Sequence, residues 1–208
     1  MMVDTQVRPQ VVTKFPVLEA MLHVPRESYV PDGQREAAYI SENLTLGGSR
    51  VMLEPRTFAK LLDALDIDPH EVVLDVGCGL GYSTAVIARL ADAVVAVEED
   101  ASMAEEAQAT LSGNGVDNAA VIEAVLAEGA AKHGPYDVII LEGAAEYVPA
   151  AILEQLKEGG RIGCIFAEAA LGVARIGYKI DGEVTWRYDF NASAPVLNGF
   201  EKPAAFTL

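Results

Sequence analysis

Val73-Leu74-Asp75-Val76-Gly77-Cys78-Gly79-Leu80-Gly81-Tyr82 is the stretch whose reading decides the fold. Apolar residues from Val72 to Val76, interrupted by a single acid, read as a short buried strand. Glycines at alternate positions follow, and they let the backbone turn sharply and approach a ligand where a Cβ would collide. Tyr82, Val86 and Leu90 then recur at intervals of four and predict a helix over 82–90. Strand, glycine loop and helix open a βαβ unit, with amide groups at the helix start facing whatever binds there.

Working outward, the same alternation continues toward the C-terminus. Val94 to Glu98 reads as a second buried strand, and Asp100 caps a helix that runs to Leu111 and stops at Gly113-Asn114-Gly115. Strands follow at Ala119 to Glu123 and Val138 to Leu141. Pro149 opens a helix with Ile152, Leu153 and Leu156 on one face, and Gly159-Gly160 ends it. Arg161 to Ala167 is the next strand. Ala174 to Ile180 and Glu183 to Phe190 flank Asp181-Gly182, the two-residue signal for a tight antiparallel hairpin; Trp186 and Tyr188 alternate along it as packing residues. The expected fold is α/β: a doubly wound, Rossmann-like, mostly parallel seven-stranded sheet closed by an antiparallel C-terminal hairpin. The first 70 residues, broken by Pro25, Pro31 and Pro55, read as an N-terminal helical cap. One domain over 1–208 is expected, with the cap at 1–70 and the core at 71–208.

Composition narrows the class. A chain of 208 residues that is 51% hydrophobic can bury a sizeable core. No run approaches the apolar length of a membrane helix, and polar residues stand at the N-terminus, so a cytoplasmic protein with no membrane partner is expected. A formal charge of −16 argues against nucleic acid, whose phosphates need clustered Lys and Arg. Seven basic and seven acidic residues balance through Lys60, so the net charge lies after that point and would steer an anionic acceptor toward the N-terminal segment. Cys78 and Cys164 have no metal-ligand spacing, and no metal is expected.

The loop departs from a dinucleotide fingerprint, because the position for its third glycine holds Tyr82. Glu98 closes the second strand about twenty residues after the first glycine, where a carboxylate can accept from both hydroxyls of a ribose. Asp75 suits a cationic group. Together these features predict S-adenosylmethionine as the cofactor.

The sequence also resembles the protein-L-isoaspartate O-methyltransferase family over most of its length. The resemblance is carried by Val17 to Met21 and Val24-Pro25-Arg26-Glu27-Ser28-Tyr29-Val30-Pro31, by Ala38-Tyr39 leading to Leu46-Gly47, by Gly77 to Tyr82, and by Ala96-Val97-Glu98. It extends through Pro135 to Ile140, Tyr147-Val148-Pro149 and Gln155 to Arg161. It implies methyl transfer from S-adenosylmethionine to isoaspartyl carboxylates of damaged proteins or peptides, by a monomer or weak homodimer. The implied cofactor-binding set is Asp75, Gly77, Cys78, Gly79, Gly81, Tyr82, Glu98, Glu99, Val125 and Glu142.

Three departures fall beside the reacting groups. The family's acceptor-binding segment is Ser49-Arg50-Val51-Met52-Leu53-Glu54-Pro55 here, so Leu53 stands where the family has a hydroxyl. Val125 replaces an acid expected near the adenine, and Glu142-Gly143-Ala144 replaces the family's small polar segment after the fourth strand. Pro195 to Leu208 does not match the family ending. Ser49, Arg50 and Thr57, with Arg56, are the residues left to hold an acceptor carboxylate, the arginines by bidentate pairing. A methyltransferase with another acceptor and a non-catalytic homologue are the alternative readings.

Overall fold

The computed structural model describes residues 1–168 and 171–202. Its centre is a seven-stranded sheet of order β5-β4-β3-β6-β7-β8-β9, built from β3 (Val72–Val76), β4 (Ala93–Glu98), β5 (Ala119–Glu123), β6 (Tyr136–Ala145), β7 (Leu156–Glu168), β8 (Leu171–Ile180) and β9 (Glu183–Asn191). Strands β3 to β7 run parallel; β8 is antiparallel to both its neighbours. The expected α/β sheet with its C-terminal hairpin is therefore present. Asp181 and Gly182 carry φ of 54° and 80° at the hairpin turn, the left-handed pair that matches the twist of the flanking strands.

Period-two alternation in strands buried on both sides divides the apolar residues between two cores. Val73, Val138 and Ile140 join one cluster with the N-terminal segment, while Leu74, Val76, Ile139 and Leu141 join the other. On the first face lie α1 (Phe15–His23), α2 (Pro55–Leu65) and α3 (Tyr82–Ile87). Helix α2 starts with Pro55 at its first turn, buries Phe58, Leu61, Leu62 and Leu65, and ends at Asp66 in the left-handed conformation. Helix α4 (Ala101–Gly113) begins as expected at Asp100, whose carboxylate accepts from the Ser102 and Met103 amides at 2.9 and 3.0 Å.

Three local expectations need correction. The helix predicted over 82–90 ends at Ile87, after which the Arg89 and Leu90 amides make tighter three-residue turns to Val86 and Ile87. The helix opened by Pro149, α5 (Ala150–Glu154), stops before Gly159-Gly160, which lie inside β7. The cause is Leu156, buried and paired with Tyr136; residues 157–160 bulge before Arg161 meets Val138. The cap is also not wholly helical, since β1 (Leu44–Gly47) and β2 (Arg50–Met52) form an antiparallel hairpin.

Candidate functional site

The sheet order reverses at β3, whose neighbours are β4 and β6, so a crevice is expected beyond the carboxyl ends of these strands. Residues from all three converge there: Asp75 and the glycine loop from β3, Glu98 from the end of β4, and Glu142-Gly143 from β6. The hairpin β1–β2 covers the opening from the cap side and brings Arg50 down onto Glu98.

The loop adopts the backbone its glycines permit. Gly77, Gly79 and Gly81 have φ of 82°, 55° and 91°, all in the left-handed region. Four of its amides, those of Gly77, Cys78, Gly79 and Gly81, are bonded within the protein. Gly77 and Cys78 donate to the Val97 carbonyl at 2.8 and 3.3 Å, Gly81 donates to Cys78, and Gly79 donates to Glu98 Oε2 at 2.9 Å.

Glu98 is fully buried and saturated. Arg50 Nε lies 3.0 Å from each carboxylate oxygen, and the Glu99 and Asp100 amides donate to Oε1 at 2.8 and 3.1 Å. Arg50 Nη2 reaches Glu99 Oε1 at 2.8 Å. The acceptors expected to serve a ribose are thus occupied by a buried arginine, and Arg50 is committed to Glu98 rather than to an acceptor carboxylate.

The other candidates divide. Ser49 is exposed at the β1–β2 turn, with Oγ 3.4 Å from Arg50 Nη1. Thr57 is buried and donates to Glu54 Oε1 at 2.6 Å, while Arg56 Nε donates to Gln10. Val125 is 53% exposed and precedes a short turn at the end of β5. Tyr82 turns into the cap: its ring packs on Tyr29 and Phe58, and Arg26 sits 4.7 Å over its centroid. Cys78 is a small buried residue of the loop, its thiol pushed up by burial.

Asp75 and Glu142 remain together in the crevice. Asp75 Oδ2 accepts from Ser83 Oγ and Thr84 Oγ1, both at 2.7 Å, but its Oδ1 has no partner among the described residues, and neither does Glu142 Oε1. Burial raises the Asp75 carboxyl to about 6, with the Glu98 charge adding to the shift. Burial and then the Asp75 charge lift Glu142 well above the usual carboxylate range, against a lowering pull from Arg26.

Two contributors were not assigned roles from sequence. Arg26, buried, donates from Nε to the Ala38 carbonyl and from Nη2 to the Leu53 carbonyl, both at 2.6 Å, so it ties the cap together beside the crevice. Its motif, Val24-Pro25-Arg26, was the available signal. Leu197, fully buried, lies against the loop: a Cβ on Gly143 would come 2.5 Å from its Cδ2, and one on Gly77 would come 3.2 Å from it. The signal for Leu197 was only that its segment departs from the family ending.

S-adenosylmethionine can be tested against this arrangement. The unpartnered oxygens of Asp75 and Glu142 suit an ammonium group. Arg50 fills the ribose acceptors, Leu197 covers Gly77 and Gly143, and Leu46 lies over Gly79, where a Cβ would meet its Cδ1 at 2.6 Å. The cavity left between Leu53, Tyr82 and Glu142 is about 10 Å³, room for one water. A further cavity, about 270 Å³, opens between Gly47, Arg50, Glu98, Glu99 and Met103, at the carboxylate expected to meet the ribose. Among the described residues no cluster has the make-up of a metal site, and no helix is long and apolar enough to cross a membrane.

Residues 1–181 match the family described as protein-L-isoaspartate(D-aspartate) O-methyltransferase. A protein-L-isoaspartate O-methyltransferase of Syntrophus aciditrophicus is 37% identical over 161 residues, which is 77% of this chain and 74% of that protein. One from Roseiflexus is 36% identical over 70% of this chain and 67% of its own length. A solved protein-L-isoaspartate O-methyltransferase has a TM-score of 0.81 at 24% identity; the match covers 92% of this chain and 63% of that one. A Plasmodium falciparum beta-aspartate methyltransferase structure, in complex with S-adenosyl-L-homocysteine, also has a TM-score of 0.81, at 19% identity over 94% of this chain and 96% of that one. These two likenesses establish the fold.

Proposed function

Because the chain belongs to the protein-L-isoaspartate(D-aspartate) O-methyltransferase family, we propose that it methylates isoaspartyl carboxylates in damaged proteins or peptides. Members of this family are S-adenosylmethionine-dependent methyltransferases. The observation that carries the reading is the match over residues 1–181, which includes the cap, the glycine loop and the strand-final Glu98. We place the enzyme in the cytoplasm as a single unit of 1–208, monomeric or weakly dimeric, with a protein or peptide partner and no nucleic acid.

The acceptor chemistry makes modest demands on the protein. A carboxylate is ionised at neutral pH and attacks without a general base, so alignment and exclusion of water are what the chain must supply. The β1–β2 hairpin and the start of α2 are the elements placed to do this. Ser49, at the exposed turn, is free to meet an acceptor; Thr57 and Arg50 would have to leave Glu54 and Glu98. Leu53 offers no hydroxyl and is buried, so we assign it to packing.

The test is transfer of labelled methyl from S-adenosylmethionine to an isoaspartyl peptide and to its normal aspartyl counterpart. Isoaspartyl-selective transfer supports the proposal. Transfer to neither peptide, with the protein folded, would remove the isoaspartyl acceptor.

A further inference from the structure

A carboxylate acceptor needs hydrogen-bond donors, and most donors near the crevice are already committed. Arg50 is spent on Glu98, Thr57 on Glu54 and Arg56 on Gln10, while the buried Leu53 has no polar atom in its side chain. Free hydrogen-bonding capacity remains where the cap segment meets the sheet end. Met52 and Leu53 from the cap, Phe58 from α2, Gly77 from the loop, Tyr82 from α3 and Glu142 from β6 line one cavity of about 10 Å³. Glu142 Oε1 and the Tyr82 hydroxyl are buried without a hydrogen-bond partner among the described residues. The space matches one water, and hence one oxygen atom of a ligand. It is not sealed, since Glu142 is 5% exposed and Val51, also in its lining, is 9% exposed. Around Glu142, Asp75 from β3 opposes ionisation and Arg26 from the cap favours it. Cys78 from the loop and Tyr82 from α3 are uncharged, and the Arg50 of β2 is turned to Glu98. Burial outweighs the pull of Arg26, so this carboxyl keeps its proton well above the usual carboxylate range. In that form it is an O–H donor as well as an acceptor.

We propose, on the isoaspartyl methyltransferase reading above, that Glu142 binds the acceptor: as a neutral carboxyl it donates its O–H to one oxygen of the isoaspartyl carboxylate, which takes the place of a water in this cavity. An ionised Glu142 would instead set a third carboxylate against the acceptor and Asp75, and the acceptor would be repelled. The other oxygen of the neutral carboxyl still accepts, so an ammonium group beside Asp75 keeps a partner. The second oxygen of the acceptor is left to attack the methyl carbon. The new C–O bond forms as the C–S bond of the sulfonium breaks, the electron pair goes to sulfur, and the proton stays on Glu142 throughout. Glu142 therefore acts on acceptor binding more than on the transfer step, and KM is the constant that should respond.

The test is the KM and kcat of an isoaspartyl peptide from pH 6 to 9, at saturating S-adenosylmethionine, for the full parent chain, Glu142→Gln and Glu142→Leu. Circular dichroism of each protein establishes that it is folded. The peptide carboxylate is ionised over the whole range and Asp75 is present in all three proteins, so differences between them belong to Glu142. For the parent, KM should rise with pH as Glu142 loses its proton, at nearly constant kcat. Glu142→Gln keeps an N–H donor that does not titrate, so its KM should stay flat, whereas Glu142→Leu has no donor and should raise KM about tenfold or more at pH 6. Parallel KM profiles for the parent and Glu142→Gln, or a Glu142→Leu protein that matches the parent at pH 6, overturn the role of Glu142 and leave the isoaspartyl reading standing. No transfer by the folded parent at any pH overturns both.

Discussion

Arg50 Nε is equidistant, at 3.0 Å, from the two carboxylate oxygens of Glu98, and both side chains are buried. Three backbone amides also donate to that carboxylate, so the pair links the cap hairpin, the glycine loop and the start of α4 in one network. Removing the guanidinium leaves a buried charge with amide donors alone. Arg50→Met should therefore cost about 3 kcal/mol, at the low end for a broken buried pair because those amides remain. Urea unfolding of the parent and variant measures it; a loss below about 1 kcal/mol would mean the pair contributes little.

Arg26 should prove equally structural. It is held by the Ala38 and Leu53 carbonyls and stacked over Tyr82, and burial lowers its guanidinium from the ordinary value. Arg26→Met keeps the stem but leaves two buried carbonyls without donors, at a cost of roughly 2–4 kcal/mol. Arg26→Lys has one compact head and cannot serve both carbonyls over the ring, so it should recover only part of that stability. Full recovery by lysine in thermal melts would remove the two-point attachment from the account.

Gly143 tests the fit of the C-terminal segment. An added Cβ would lie 2.5 Å from Leu197 Cδ2 and 3.2 Å from the Pro195 carbonyl oxygen. Gly143→Ala should cost on the order of 1–3 kcal/mol by overpacking. Combined with Leu197→Ala it should cost less than the sum of the two single changes, because the clash then has no partner. Additive losses would show that the two positions do not meet.

The buried carboxylates make a signed prediction for pH. Asp75 titrates near 6 in the folded protein against an ordinary 3.8, so between those values the folded protein holds more protons than the unfolded chain. Stability therefore falls as pH rises from about 4 to 6, by roughly 3 kcal/mol for this group. Glu142, also raised, shifts in the same direction and carries the decline higher. Glu142→Gln removes that part, so the variant should gain on the parent as pH rises, most clearly at pH 8. Parallel stability profiles for the two proteins from pH 4 to 8 would contradict this.

Much of the sheet was legible because its cause is local. Continuous apolar runs in β3, β4 and β6, the Asp100 cap and the Asp181-Gly182 turn each state their structure within a few residues. The end of α5 was not, since Leu156 is drawn into β7 by pairing with the distant Tyr136. The site divides the same way. The glycines and Glu98 were readable from strand and spacing, and their backbone conformations follow. That Arg50 would spend its charge on Glu98, 48 residues away, and that Leu197 would cover the loop are tertiary facts with no local pattern. Pro195 to Leu208 was singled out only for failing to match; of it, residues 203–208 lie outside the described residues.

Transfer of labelled methyl from S-adenosylmethionine to an isoaspartyl peptide, set against its normal aspartyl counterpart, tests the central claim most directly. The account predicts transfer to the isoaspartyl peptide alone. A folded protein that methylates neither peptide, or both equally, would contradict it.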